Sequence, residues 1–190
     1  MRRLALLSAL LVVNLSACKH KGQTPVSSGD ANIPSTAETG VLGVAPEFSM
    51  VKMSDPKAES QLIRGFYGVE SQAWRWTSSR FAVVLRPPEG AAQQGATLEF
   101  KFSLPDVVVN KFGSVLISSK INGMALPSKT FSTPGEYTYS APVPADAFRT
   151  GQALVEFSSD KFMPPSNGDK RELALVAVSI ALLPAGQTEK

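Results

Sequence analysis

Residues 80–104 read RFAVVLRPPEGAAQQGATLEFKFSL, and the architecture can be worked out from this stretch. Phe81, Val83 and Leu85 recur at every second position, the cluster Pro87-Pro88-Glu89-Gly90 interrupts the chain, and Leu98, Phe100 and Phe102 resume the alternation. A period of two places the apolar side chains on one face of a strand and leaves the other face wet. Pro and Gly between two such runs mark a turn rather than a helix.

The same pattern extends outward. Val115, Ile117 and Ile121, then Tyr137 and Tyr139, then Val155 and Phe157 continue the alternation; Asn122-Gly123, Thr133-Pro134-Gly135 and Asn167-Gly168-Asp169 punctuate it. Short strands separated by turn signals at this spacing predict an all-β sandwich. The run Leu173 to Leu183 is almost wholly apolar, as in a strand covered on both faces or a short buried helix. Its β-branched Val176, Val178 and Ile180, closed by Pro184, favour the strand. A helical turn is expected only over Ala145 to Thr150. Val41 to Met53 has enough Val, Phe and Met to dock as an edge strand. The expected fold is a two-sheet antiparallel β-sandwich of jelly-roll type with about eight to nine strands, over residues 42–190 with its core at about 61–184.

Upstream, the composition changes. Residues 19–40 are rich in Ser, Thr, Gly, Pro and Ala, cannot bury enough surface to offset the entropy of ordering, and are expected to form a flexible tether. Before them, Arg2 and Arg3 precede the apolar run Leu4 to Val13, the order of a secretory signal. The run is too short to span a bilayer, which takes about 20 apolar residues. Leu15-Ser16-Ala17-Cys18 resembles the lipobox of bacterial lipoproteins at every position. The resemblance implies that residues 1–17 are removed, that Cys18 becomes a lipidated first residue holding the protein on a membrane, and that 18–41 link it to the domain. Two or three acyl chains would hold it firmly, because each buried methylene contributes about 0.8 kcal/mol. Lys19 rather than Asp after Cys18 resembles a passenger for the outer membrane. Cys18 is the single Cys, so no disulfide forms within the chain.

The formal charge of +3 counts Arg2 and Arg3; without them 17 basic residues face 16 acidic ones. That balance removes any general case for nucleic acid as a partner. Catalysis is equally poorly supplied. The single His is His20, in the tether, so neither a Ser-His-Asp nor a Cys-His arrangement can be built in the domain, and His or Cys metal ligation fails on the same count. Glu70, Glu99, Glu136, Glu156, Asp160 and Asp169 could supply a glycosidase pair, but no local motif selects two of them. Asp160, Asn167 and Asp169 could lend oxygens to calcium without forming a complete ligand set. The expectation is therefore no enzyme, no metal and no cofactor.

Gly65-Phe66-Tyr67 with Glu70, Arg75-Trp76-Thr77, Asn122-Gly123, Phe162 with Pro164 and Pro165, and Asp169-Lys170-Arg171-Glu172-Leu173 before an apolar strand together resemble a small β-sandwich module. That module occurs in bacterial envelope proteins and appended to glycosyltransferases, and the resemblance spans about residues 62–183. It implies a carbohydrate-associated sandwich and points to Tyr67, Glu70, Trp74, Arg75 and Arg80 as ligand-binding residues. Aromatic residues in small sandwiches usually supply core, so Trp76 is assigned there. Trp74 is left open between core and surface. Glu70 with Arg75 or Arg80, and Asp169 with Arg171, are read as charge pairs, with Asp169 and Arg171 clasping the approach to the last strand. Two functions stay open: an envelope lipoprotein binding polysaccharide without catalysis, and a scaffold lipoprotein docking a protein partner through an apolar or edge-strand surface.

Overall fold

The computed structural model describes residues 45–166 and 168–188. The signal segment, Cys18 with its tether, and Asn167 lie outside the described residues. The described chain begins with β1 (Met50–Lys52), a 3-10 turn at Pro56–Gln61, and a hairpin of β2 (Leu62–Glu70) and β3 (Trp74–Leu85). A short helical turn α1 (Ala91–Gln94) leads to β4 (Ala96–Leu104), and helix α2 (Asp106–Phe112) leads to β5 (Val115–Ile121). Then follow β6 (Met124–Ala125), β7 (Lys129–Phe131), β8 (Gly135–Val143), a 3-10 turn at Ala145–Phe148, β9 (Ala153–Ser159) and β10 (Val176–Pro184).

All ten strands pair antiparallel in one curled sheet of order β6-β5-β9-β3-β10-β4-β8, with β1 on β10, β2 on β3 and β7 on β5. The fold is thus the expected all-β sandwich, with its two layers joined rather than separate. The joint is β3, which is 12 residues long. Near its start, Arg75 and Trp76 pair with Ala177 and Val176 of β10; further on, Arg80 to Leu85 pair with Ser158 to Ala153 of β9. One strand therefore serves both layers, and β2 follows it along its length through three register shifts. Gly65 permits this close approach. Its φ is +78°, and a Cβ there would lie 2.2 Å from the Arg80 carbonyl oxygen and 2.7 Å from the Phe81 Cα.

The core forms where the curled halves meet. Phe81 and Phe157 are cross-strand partners whose rings stack at 5.1 Å, and Phe100 of β4 closes on Phe157 at 4.9 Å. Each such buried aromatic contributes about 1.5–3 kcal/mol by leaving water. A polar pin crosses the same core: the Tyr139 hydroxyl donates to the Pro127 carbonyl at 2.6 Å and shares a hydrogen bond with Ser119 Oγ at 2.8 Å. Burial pushes the Tyr139 phenol up from its ordinary pKa, opposed in part by the Ser119 hydrogen bond.

The apolar run near the C-terminus is a strand because it is flanked on both sides. β4 pairs along β10 from Val176 to Pro184, while β3 and then β1 take the other side, with Val51 opposite Ile180. Ile180, Ala181 and Leu182 are consequently buried, and Val178 is left 42% exposed at a bulge between Ala177 and Ser179. β1 falls inside the segment expected to supply an edge strand. Gln61, 2% exposed, secures the approach to β1: it accepts from the Phe48 N–H and donates to the carbonyls of Phe48 and Val84.

The expected turn at Ala145 to Thr150 is present at Ala145–Phe148, but helix α2 was not anticipated. Its Val107, Val108 and Val109 have β-branched chemistry, which argues against helix. Pro105 in extended backbone starts it, Gly113 at φ +76° ends it, and burial of Val108 holds it on the core.

Candidate functional site

The β2–β3 hairpin sets the orientation of the aromatic stretch. Ser71 and Gln72 both take positive φ at its turn, and Glu70 pairs with Trp74. Because Phe81, Val83 and Leu85 face the core, the odd positions of β3 point inward and the even ones outward. Thr77 is fully buried and Arg75 is 7% exposed, while Trp74 and Trp76 are both half-buried on the opposite, outer face. Trp76 is therefore not the core residue expected. The two indoles meet edge to face at 6.1 Å and 87°, an arrangement that leaves part of each ring facing solvent.

Arg75, expected to face a ligand, is turned inward and engaged by the chain itself. Its Nε donates to the Met53 carbonyl at 3.1 Å, one terminal nitrogen donates to the Tyr67 carbonyl at 3.1 Å, and the other reaches Glu59 at 2.6 Å. It ties β2, β3 and the end of β1 together. Glu70 does not pair with Arg75 or Arg80. It accepts from Arg171 at 2.8 Å, and Arg171 also grips Asp169 through Nε and a terminal nitrogen, the latter at 2.9 Å.

This cluster links the end of β2 to the segment before β10. Tyr67 joins it, with its ring 5.4 Å from the Arg171 guanidinium carbon and its hydroxyl oxygen accepting from the Glu172 N–H at 3.1 Å. Side-chain and backbone hydrogen bonds from Arg171 hold the Asp169 carboxyl below the usual carboxylate range. The Asp169 and Glu70 hydrogen bonds in turn raise the Arg171 pKa further, so its charge is permanent. Structure thus brings Tyr67, Glu70, Asp169 and Arg171 together at the end of β2, where Glu70 pairs with Trp74 across the hairpin, with Arg75 turned inward and Arg80 elsewhere.

Arg80 stands on a second part of the outer face. It lines a groove of about 540 Å³ with Arg64, Ser118, Lys120, Ser128, Glu156 and Ser158. Two rungs cross the strands here: Ser118, Ser158 and Arg80 on one, and Lys120, Glu156, Ala82 and Arg64 on the next. Arg64 reaches across Ala82 to an ion pair with Glu156. Of these groove residues, sequence pointed to Arg80 as a ligand contact and to Glu156 only as one of six carboxylates, and to none of the others. Alternation along β5 and β9 already put Lys120, Glu156 and Ser158 on the wet face, but their convergence depends on which strands become neighbours.

Of the oxygens weighed for calcium, Asp160 accepts from the Leu116 N–H at 2.7 Å and pairs with Lys161, and Asp169 is held by Arg171. Among the described residues, no group of three or more His, Cys, Asp and Glu side chains is arranged to hold a metal ion.

No protein-family model matches the chain, and no curated protein does. Several solved structures are similar to it, three of them carbohydrate-binding modules. A family 35 carbohydrate-binding module from an environmental isolate has 10% identity and a TM-score of 0.43, covering 74% of this chain and 96% of the module. The carbohydrate-binding module CBM36, in complex with calcium and xylotriose, has 16% identity and a TM-score of 0.39, over 70% and 98%. The CBM36-1 domain of a multidomain xylanase from the hindgut metagenome of Trinervitermes trinervoides has 15% identity and a TM-score of 0.38, over 74% and 98%.

Proposed function

We propose that this is a lipid-anchored protein of the bacterial cell envelope, on the outer membrane, whose β-sandwich binds polysaccharide without catalysis. The observation that carries the binding role is the Trp74–Trp76 pair, perpendicular and half-buried on the outer face of β3 with Glu70 directly across from Trp74. A sugar ring presents a face of C–H bonds that packs on an aromatic plane, and an indole offers that plane with few torsions to freeze. Glu70 Oε1 is held by Arg171, which orients the carboxylate and leaves Oε2 to accept from a sugar hydroxyl. The lipid anchor rests on the lipobox resemblance at Cys18. The non-catalytic reading rests on the absence of His and Cys from residues 42–190.

One observation favours protein docking at the same face. Val176 pairs with Trp76, and Val178, two residues further along β10, is 42% exposed, which extends the indole surface with aliphatic area. Calorimetry on the full chain in detergent, against neutral glycans such as xylan and β-glucan, separates the two. Saturable binding weakened at least tenfold by Trp74→Ala or Trp76→Ala, with the melting temperature retained, supports the glycan role. Loss of nothing but stability in both variants, with no glycan bound, refutes it. Mass spectrometry of the mature N-terminus tests the anchor: an acylated Cys18 is expected, and an unmodified one overturns it.

A further inference from the structure

The groove around Arg80 has a charge pattern that the aromatic pair does not share. Three cations, Arg64, Arg80 and Lys120, and one carboxylate, Glu156, line it, and Arg64 neutralises Glu156. Arg80 and Lys120 are both exposed, and among the described residues neither the Arg80 guanidinium nor the Lys120 ammonium takes part in a hydrogen bond or ion pair, the Ser78 hydroxyl reaching only the Arg80 backbone carbonyl at 2.6 Å. They lie diagonally across β9, since Arg80 pairs with Ser158 and Lys120 with Glu156. Two strand spacings and one two-residue step separate them, roughly 12 Å between Cα atoms. Ser118, Ser128 and Ser158 supply hydroxyls along the same floor, with Ser128 donating to Ser118 at 2.9 Å. Ala125 at the end of β6 and Leu126 and Ser128 in the loop after it wall the groove beside β5, and Arg64 closes the side toward β2.

We propose that this groove binds an acidic polysaccharide, with Arg80 and Lys120 each taking one anionic group of the chain and the serines taking neutral hydroxyls between them. An open trough with two separated cations and a polar floor suits an extended chain carrying charge at intervals. It does not suit a single-stranded nucleic acid, because Phe157, the one aromatic residue lining it, is buried and offers no surface for stacking bases. It suits a flat layer of anionic headgroups less well than an extended chain, because the two cations stand in a groove walled by Leu126 and Ser128 on one side and Arg64 on the other. The proposal stands on the groove alone and holds whether or not the tryptophan pair binds sugar.

The test titrates the full chain in detergent with two acidic probes, polygalacturonate for carboxylates and chondroitin sulfate for sulfates, and with dextran as the neutral control. Binding to at least one acidic probe and none to dextran is expected, with affinity falling as salt is raised. Loss of a charge-assisted hydrogen bond corresponds to about a tenfold weakening, so Arg80→Gln or Lys120→Gln should each raise Kd about tenfold. Trp74→Ala should leave this binding unchanged. Glu156→Gln, which frees Arg64, should tighten it. Both cations are exposed and unpaired, so the variants should melt with the parent protein, and Arg80→Lys with Lys120→Arg guards against a fold effect by retaining charge. Which probe binds decides between carboxylate and sulfate. No saturable binding to either probe, binding insensitive to Arg80→Gln and Lys120→Gln, or tighter binding to oligo(dT) or phosphatidylglycerol vesicles would overturn the proposal.

Discussion

Arg75 shows how far one residue's role depends on which way its side chain turns. Between two tryptophans in the sequence it resembles a ligand-reading cation, yet in the fold it spends its donors on two backbone carbonyls and Glu59. Replacing it orphans the Met53 and Tyr67 carbonyls in a site almost closed to water. Arg75→Met should therefore destabilise the domain by about 2–3 kcal/mol. Glu59 is mostly exposed, so Glu59→Gln should cost under about 1 kcal/mol. Denaturant midpoints of both variants check the pair; equal, small losses would contradict the inward clasp. The two tryptophans carry the complementary lesson. Their alternation with Arg75 was legible, and the inward parity of Phe81, Val83 and Leu85 on the same strand already implied that even positions face out. The general tendency of aromatic residues to supply core assigns Trp76 inward, and the parity of the strand overrides it.

At the scale of elements, the β2–β3 hairpin decides both candidate sites, because β3 carries Trp74, Trp76 and Arg80 on one face. Its geometry hinges on Gly65. A methyl there meets the Arg80 carbonyl at 2.2 Å in a backbone conformation that L side chains rarely adopt, whereas one at Gly68 meets nothing within 4 Å. Gly65→Ala should cost about 2–4 kcal/mol and disturb the groove next to Arg80, while Gly68→Ala should change stability by less than about 1 kcal/mol. Thermal melts alongside chemical shifts of the Arg80 and Phe81 amides would show it. Similar behaviour of the two variants would mean that β2 can slide on β3 without strain. Helix α2 is the element that sequence reasoning missed: three adjacent valines read as strand, and only the docking of Val108 on the core overrides that preference.

For the whole molecule, Arg171 couples distant parts of the chain, joining Glu70 at the end of β2 to Asp169 before β10. The Asp169 carboxyl titrates below its unfolded value, so its contribution to stability is present above about pH 4 and is lost as pH falls through the depressed folded value. Arg171→Gln removes the cause of that depression. The stability of this variant should fall less steeply than that of the parent protein between about pH 4 and pH 2. Urea midpoints across that range measure it, and parallel acid limbs would show that the clasp does not couple to folding. Tyr139 acts in the opposite direction: its raised phenol favours the folded state up to about pH 10 and penalises it as pH rises beyond.

Sequence by itself determined that the chain is all-β, because alternation of apolar residues is a local property that a strand reads directly. It also determined the strand assignment of the C-terminal apolar run, through its β-branched residues and terminal proline, and it named Tyr67, Glu70, Trp74, Arg80, Asp169 and Arg171 as residues to follow. Tertiary structure decided that the layers join through β3, that Arg75 points in while Trp76 points out, that Glu70 takes Arg171 as its partner, and that Arg80 leaves that cluster for a groove with Lys120 and Arg64. These outcomes depend on strand neighbours and register. Glu70 and Arg171 are 101 residues apart in the chain. No local pattern encodes which of several strands will lie beside β3; that choice follows from burying Phe81, Phe100 and Phe157 in a single core.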